Sequence, residues 1–374
     1  MAGILLNLLA AAMGGQITRA TAFLSRFRQY CPEQRLVVLT DPRFLPLRPD
    51  GHGYEVRSVS TGRGPLRPMR RTVWENLHVP RLMRREGLDV YLTFSHYLPM
   101  GLQDGVRSVV GVSTMAPFSA RAWQAERGSV RAKLWLQRRS IVASARRATC
   151  VIALSEACRT ALAGRGVDSR RIAVISNGVE AMPEDPGGET SVLPAAPYIL
   201  SVSHFHRYKN YERLIEAYAR LPRHLREGYR LVLVGEPCNR RYFEELNELA
   251  RRCEVEQRMT VIQGLDRRRL GTLYRRAALF VFPSLVENSP NILLEAMTCG
   301  LPIVASSAEP MPEFGGETVR YFDPTSAEDL AQQIARLLLS EDCGSALGSL
   351  ARERAARYSW DVFTERVAGL CCPP

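Results

Sequence analysis

The sequence predicts an α/β protein with two doubly wound, Rossmann-like domains. Short apolar runs alternate with longer amphipathic segments along almost the whole chain, which is the pattern of parallel strands joined by crossover helices. A length of 374 residues suits two domains of ordinary size. The segment 177–197 is rich in proline, glycine and acidic residues and has no periodicity, so it predicts the connection between the domains.

These features predict an N-terminal domain over 1–180, a linker over 181–196, a C-terminal domain over 197–356 and a final helix over 357–374. The apolar runs of the first half predict strands at 3–9, 36–40, 88–94, 106–112, 149–154 and 171–175, with helices at 16–30, 72–86, 129–147 and 155–164. The second half predicts strands at 198–203, 231–235, 259–264, 278–284 and 301–306, with helices from about 210 and at 239–252, 267–275 and 290–299.

The net charge of +12 arises entirely in the first half. Residues 1–190 contain 27 Lys and Arg against 15 Asp and Glu, whereas 191–374 contain 23 of each. A basic half indicates a polyanionic partner, either acidic lipid head groups or nucleic acid. The nine cysteines form no C-x-x-C pair, so the sequence predicts neither a disulfide framework nor a zinc site and favours a reducing, cytoplasmic compartment.

The most informative stretch runs from Pro283 to Pro302. A strand is expected to end at Ser284, and Pro290 suits the first position of the following helix, where its missing N–H costs nothing. Glu287 then lies in a loop at the carboxyl end of a strand, and Glu295 lies in the second turn of the helix. Ligands of open α/β sheets bind at that edge.

A nucleotide sugar would offer hydrogen-bond partners to both the amides and the carboxylates at this edge. The amides of Asn288, Ser289, Pro290 and Asn291 mark a helix N-terminus suited to phosphate, apart from the proline, which has no N–H. Two flanking carboxylates would repel phosphate, so they suit hydroxyl groups: Glu287 on the sugar and Glu295 on the ribose. The alternative is one ordinary loop acid and one solvated helix acid.

This stretch, E-x7-E followed by AMTCGLP, resembles the donor-site signature of retaining glycosyltransferases of family 4. The resemblance extends over most of the chain, through VIALSEACRTAL, RIAVISNGVE, YILSVS…KN, LVLVGE, VIQGLDRRRLGTLYRRAALFVFPSLVE and YSWDVF in the family's usual order. It implies the GT-B fold, in which two Rossmann-like domains face each other across a cleft, and a final helix that returns to the first domain. It also implies transfer of a sugar from a nucleotide diphosphate donor to an acceptor hydroxyl with retained configuration.

The resemblance implies catalytic roles for Arg207 and Lys209, whose charges would stabilise the departing diphosphate. Two solvated charges at a helix start are the alternative. By the same resemblance Gly14 and Gly15 approach the donor and acceptor, although an ordinary turn fits them equally well. The nucleotide base is expected against the main chain near Gly264 and Leu265, with Gly235 in the crevice, but these contacts do not identify the base.

No D-x-D motif occurs, so we predict no metal and no cofactor besides the donor substrate. The family's His-Asp pair is also missing: residues 111–118 contain no histidine. Retention is usually attributed to same-face attack in which the leaving phosphate takes the acceptor proton, so a protein base is not required. His96 follows another strand and is a candidate catalytic residue, with a structural role as the alternative.

The arginine-rich first half is expected to bind a lipid-linked or saccharide acceptor at an anionic membrane surface, peripherally, on the inner face of the cytoplasmic membrane. A solvated arginine surface is the alternative, and no recognised motif supports nucleic acid. No apolar stretch of ~20 residues exists, so no membrane span is predicted. The sequence thus predicts a retaining glycosyltransferase of lipopolysaccharide, O-antigen or exopolysaccharide assembly. The rivals are a sugar-nucleotide epimerase or hydrolase and a catalytically silent scaffold that binds nucleotide sugar.

Overall fold

The computed structural model describes residues 3–11, 15–43, 53–64, 66–126, 128–183, 194 and 196–372. The chain divides into two compact units. The N-terminal unit comprises Met1–Phe118, Ala132–Gly178 and Ser359–Pro374, and the C-terminal unit comprises Ser119–Arg131 and Val179–Tyr358. Most of the predicted linker, 184–193 and 195, lies outside the described residues.

The N-terminal unit is built on a seven-stranded parallel sheet. Its strands are β1 (Gly3–Asn7), β2 (Arg35–Thr40), β3 (Glu55–Ser58), β4 (Val90–Thr93), β5 (Arg107–Gly111), β6 (Cys150–Ala153) and β7 (Ile172–Val174), in the order β3-β2-β1-β4-β5-β6-β7. The helices of this half of the sequence are α1 (Gly15–Tyr30), α2 (Arg67–Glu86), α3 (Ala120–Ala125), α4 (Ser129–Arg147) and α5 (Glu156–Ala163). The central strands are buried on both faces, as expected where helices cover a parallel sheet.

The C-terminal unit repeats this plan with six parallel strands. They are β8 (Tyr198–Val202), β9 (Arg230–Val234), β10 (Met259–Ile262), β11 (Leu279–Phe282), β12 (Ile303–Ser306) and β13 (Arg320–Phe322), in the order β10-β9-β8-β11-β12-β13. The remaining helices are α6 (Tyr211–Arg220), α7 (Arg223–Gly228), α8 (Arg240–Arg252), α9 (Arg267–Arg276), α10 (Asn291–Thr298), α11 (Met311–Gly315), α12 (Ala327–Leu338), α13 (Glu341–Ala355) and α14 (Trp360–Cys371).

Helix α14 completes the core of the N-terminal unit. Trp360, Phe363 and Val367 are buried in the same apolar cluster as Phe23 and Phe94. The ring centroids of Phe94 and Phe363 are 5.8 Å apart. The final helical segment therefore contributes side chains to a core whose members outside this helix, from Ile4 to Ile175, precede it by 185 residues or more.

The strand order of each sheet reverses at one point. In the N-terminal unit β1 pairs with both β2 and β4, and in the C-terminal unit β8 pairs with both β9 and β11. The connections leaving β1 and β4, or β8 and β11, therefore go to opposite faces of the sheet and leave a crevice at its carboxyl edge. The candidate site of the C-terminal unit lies at the second of these points.

Candidate functional site

A short 3₁₀ turn, Arg207–Lys209, follows β8 and carries both predicted cations. The next residue, Asn210, has φ 61°, and its side-chain amide donates to the carbonyl oxygens of Pro283 at 3.1 Å and Pro324 at 2.9 Å. The N–H of Leu285 donates to the carbonyl oxygen of Tyr208 at 2.8 Å. These bonds attach the turn to the loops that follow β11 and β13.

Lys209 and Glu287 meet although they are 78 positions apart in the sequence. The Lys209 ammonium donates to Glu287 Oε1 at 2.6 Å, and Lys209 is only 8% exposed. Burial opposes the charged form of Lys209, but the Glu287 carboxylate outweighs it and raises the pKa of the lysine. The pairing of β8 with β11 brings the two residues together, because each lies in the loop that leaves one of these neighbouring strands.

Helix α10 begins beside this ion pair. It starts at Asn291, so Pro290 precedes the first helical residue rather than occupying it, and the carbonyl of Pro290 accepts the first intrahelical bond from Leu294. Gly300 ends the helix in the left-handed region at φ 70°. Glu295 lies in the second turn, as its spacing predicts; its carboxylate is 3.8 Å from the Arg267 guanidinium, and burial raises its pKa.

The loops after β9 and β10 approach the same edge of the sheet. A Cβ on Gly235 would lie 1.9 Å from the carbonyl oxygen of Ser203, so only glycine fits there. Gly264, at φ 67°, donates its N–H to the Glu236 carboxylate at 2.9 Å, and Leu265 packs on the core.

His204 was not predicted as a site residue. It is exposed just after β8, and its Nδ1 accepts the Glu236 N–H at 3.4 Å, which leaves Nε2 as the protonated nitrogen of the neutral ring.

Arg207 does not join Lys209 and Glu287. Its guanidinium donates to the Glu245 carboxylate, lies 3.8 Å from Glu212 and stacks 5.0 Å above the Tyr242 ring. The 3₁₀ turn thus presents its two cations to different partners. Spacing alone predicts that both residues occupy one turn, but it does not determine where either side chain points.

In the N-terminal unit, the predicted residue Gly15 is the first residue of α1, and Gly14 lies outside the described residues. His96 is half-buried just after β4. Its Nδ1 is buried with no hydrogen-bond partner among the described residues, and burial, helped by the Arg71 charge, lowers its pKa to about 4. A neutral imidazole is therefore the form present near neutral pH.

Glu75 is a buried carboxylate near the end of β1 that sequence reasoning missed. It accepts from the Asn7 amide at 2.9 Å and lies 3.5 Å from Arg71 Nε, and burial raises its pKa. The Asn7 amide also donates to the Tyr91 hydroxyl at 3.0 Å. The available signal was the i,i+4 spacing of Arg71, which directly precedes the predicted helix 72–86, and Glu75 within that helix. Such a pair is more often solvated than buried.

The outer face of α2 combines exposed apolar residues with arginines. Met69, Val73 and Leu77 recur at four-residue spacing and are 59%, 52% and 49% exposed. Exposed arginines flank this stripe at Arg70, Arg81, Arg84 and Arg85. Over the part of the chain that the structure describes, no helix has the length and apolar character needed to cross a bilayer. Within the same residues, no three His, Cys, Asp or Glu side chains form a group that could hold a metal ion.

Two family models match consecutive parts of the chain. Residues 13–181 match the model described as Glycosyltransferase Family 4, and residues 191–354 match the one described as Glycosyl transferases group 1. The first match covers most of the N-terminal half, and the second contains Lys209, Glu287 and Glu295.

Two curated relatives share about three tenths of their residues with the aligned part of the chain. A D-inositol 3-phosphate glycosyltransferase from Xylanimonas cellulosilytica is 30% identical over 214 residues, 52% of this chain and 50% of that protein. O-antigen chain mannosyltransferase B from Escherichia coli is 29% identical over 169 residues, 45% of this chain and 43% of that protein. The chain thus spans half or less of the length of these relatives.

The fold is similar to that of a solved structure, Anabaena Alr3699/HepE in complex with UDP-glucose. The TM-score is 0.76 at 18% identity, and the match covers 98% of each chain. The prediction of two doubly wound, Rossmann-like domains is confirmed by this likeness and by the two parallel sheets.

Proposed function

Because this chain belongs to the glycosyltransferases of family 4 and group 1, with the GT-B fold, we propose that it transfers a sugar from a nucleotide diphosphate sugar to an acceptor hydroxyl. The observation that carries this proposal is the buried Lys209–Glu287 ion pair beside the start of α10, at the point where the strand order of the C-terminal sheet reverses. One cation, one carboxylate and the start of a helix thus lie together at the carboxyl edge of this sheet.

Each group has a separate part in the proposed reaction. The Lys209 ammonium and the amides at the start of α10 bind the diphosphate and stabilise the charge that develops when the glycosidic C–O bond breaks. Glu287 orients Lys209 and accepts hydrogen bonds from sugar hydroxyls. Glu295, whose pKa is raised by burial, accepts hydrogen bonds from the ribose hydroxyls.

We propose that transfer retains the anomeric configuration and needs no metal. The leaving diphosphate takes the acceptor proton on the face it departs from, so no protein carboxylate is needed as a base. The lysine and the helix amides supply the positive potential that a divalent cation would otherwise supply. Anomeric analysis of the product by NMR tests retention.

The proposed setting is the assembly of a cell-surface polysaccharide. A relative named O-antigen chain mannosyltransferase supports a growing saccharide as the acceptor, and the UDP-glucose bound to Alr3699/HepE supports a nucleotide sugar as the donor. A saccharide acceptor at the membrane would also explain why the basic excess is confined to the first half of the chain.

The α2 face supports peripheral binding to an anionic membrane. Its apolar stripe can enter the interface while the arginines contact lipid phosphates, each worth ~1 kcal/mol near the surface. Co-sedimentation with phosphatidylglycerol vesicles should fall at least about fivefold when Met69, Val73 and Leu77 are all changed to serine. Equal sedimentation of the native and triple-serine proteins would reject this docking surface.

A ligand screen tests the donor proposal. Thermal shifts are measured with UDP-glucose, UDP-galactose, UDP-N-acetylglucosamine, GDP-mannose and ADP-glucose, because a ligand that binds only the folded protein raises its melting temperature. One or more donors should stabilise the native protein and fail to stabilise Lys209→Ala. Stabilisation of Lys209→Ala to the same extent would show that the site lies elsewhere.

A further inference from the structure

The side chain of Arg207 is enclosed between α6 and α8. Glu212 at the start of α6 and Glu245 on α8 both contact its guanidinium, and the Tyr242 ring lies beneath it. The Tyr242 hydroxyl in turn donates to the Glu212 carboxylate. Glu212, Tyr242 and Glu245 together are called the Arg207 clamp.

The clamp is a strong anchor for the turn. The side chain of Arg207 is 19% exposed, whereas Tyr242 is completely buried. The Arg207 hydrogen bond lowers the pKa of Glu245, so this carboxylate is charged at neutral pH. Arg207 and two clamp residues, Glu212 and Glu245, line a groove of about 570 Å³. Its other lining residues are Glu216, Arg241, Glu244, Glu248, Leu249 and Arg252.

The turn between Arg207 and Lys209 is therefore held from two directions. On one side the Arg207 side chain attaches it to α8, and on the other the carbonyl of Tyr208 and the amide of Asn210 attach it to the loop after β11. Rotation of this single turn would carry the Lys209 ammonium away from Glu287. The direction of Lys209 thus depends on both attachments.

We propose that Arg207 is a positioning residue, and that the Arg207 clamp fixes the 3₁₀ turn so that Lys209 reaches Glu287 and the donor diphosphate. The role of the diphosphate rests on the proposed function, but the direction of the Lys209 side chain toward Glu287 can be measured without any donor. The competing model is direct contact between Arg207 and the diphosphate. That contact would require the guanidinium to leave all three clamp residues, so a weaker clamp would then favour binding.

Lysine labelling measures whether the Lys209 amine stays buried against Glu287. The measurement is simple because the chain contains only two lysines, Lys133 and Lys209. Lys133 is exposed and serves as the internal reference. The protein without ligand is treated with limiting N-hydroxysuccinimide acetate, and peptide mass spectrometry gives the acetylation rate of Lys209 relative to Lys133. A buried amine reacts only when its surroundings open.

The labelled variants are Glu245→Gln, Arg207→Gln and the matched control Glu244→Gln. Glu244 lies on the same helix but pairs with Arg240 at 3.0 Å, and both are largely exposed. The first two variants should raise the relative labelling of Lys209 by about fivefold or more, and the control should leave it unchanged. Circular dichroism confirms that each variant is folded. Labelling of Lys209 that is equally slow in all three variants would overturn the proposal.

Calorimetric titration with UDP, GDP and ADP separates positioning from direct contact. A positioning role predicts that Arg207→Gln, Glu245→Gln and their double variant weaken diphosphate binding by similar factors, because all three remove one unit. Unchanged or tighter binding by Glu245→Gln, with weaker binding by Arg207→Gln, would instead establish direct contact. If the native protein binds none of the three nucleotides, the proposed function fails, while the labelling result still decides the role of the clamp.

Discussion

Replacing Lys209 with methionine and Glu287 with leucine should separate the stability of the site from its activity. The ammonium and carboxylate are 2.6 Å apart, and their side chains are 10% and 14% exposed. Transfer of such charges out of water costs several kcal/mol per ion, and their mutual attraction offsets that cost only when the geometry is good. The pair therefore contributes little net stability, although each member depends on the other.

The single variants and the double variant should then behave very differently. Lys209→Met and Glu287→Leu each leave one buried charge without its partner, so each should lose about 3–5 kcal/mol of unfolding free energy. The double variant removes both charges and should unfold within about 1 kcal/mol of the native protein, or be more stable. Sugar transfer should fall by about 10²–10³-fold in all three, because either the Lys209 cation is missing or Glu287 no longer orients it toward the diphosphate.

Urea unfolding followed by circular dichroism measures the stability, and transfer from the donor identified by thermal shift measures the activity. The matched control is Arg223→Gln, which breaks an exposed ion pair with Glu227 and should change stability by less than about 1 kcal/mol. A double variant that loses as much stability as the two single variants combined would refute the reasoning, as would one that retains transfer.

Gly235→Ala should lose at least about 2 kcal/mol of stability, because its Cβ would meet the Ser203 carbonyl at 1.9 Å. Gly264→Ala should lose only about 1 kcal/mol, because open space surrounds its Cβ and only the backbone, at φ 67°, is unfavourable. Melting curves that reverse this order would contradict the packing. Because the pKa of His96 is lowered to about 4, its contribution to stability is complete above its unfolded pKa of about 6.5 and is lost as pH falls toward 4. The native protein should lose unfolding free energy between pH 7 and pH 4.5, and His96→Gln should lose about 1–3 kcal/mol less over the same range, as measured by urea unfolding. An equal loss in both proteins would count against the burial of this ring. EDTA should leave transfer intact; complete loss that magnesium or manganese restores would reject metal independence.

The sequence predicted most of the fold because buried parallel strands are continuous apolar runs. Strands β3 and β13 were missed, and both are short edge strands. The partly polar sequence Glu55–Ser58 is half-exposed, and Arg320 at the start of β13 is exposed. An edge strand needs no apolar run, since one side of it has no neighbouring strand. The early start of α2 at Arg67 was missed because its first turn contains Pro68 and lies on the exposed surface.

The position of the site in the fold was predictable, because strand topology determines which loops share an edge of the sheet. Lys209 and Glu287 follow neighbouring strands, so the edge they share was evident from the order of the motifs. The direction of the Arg207 side chain could not be predicted, because its partner Glu245 is 38 residues away on α8. Nothing in the local sequence distinguishes that carboxylate from the others on the same helix. Side-chain direction within a short turn is decided by such distant partners.

The placement of α14 has a consequence for how the polypeptide matures during translation. Residues up to Gly178 leave the ribosome well before Trp360, Phe363 and Val367 exist, so the apolar surface around Phe23 and Phe94 stays uncovered while the following 180 or so residues are synthesised. The core of the N-terminal unit can therefore be completed only after the C-terminal unit has been synthesised, and until then its exposed apolar surface favours aggregation of the nascent chain.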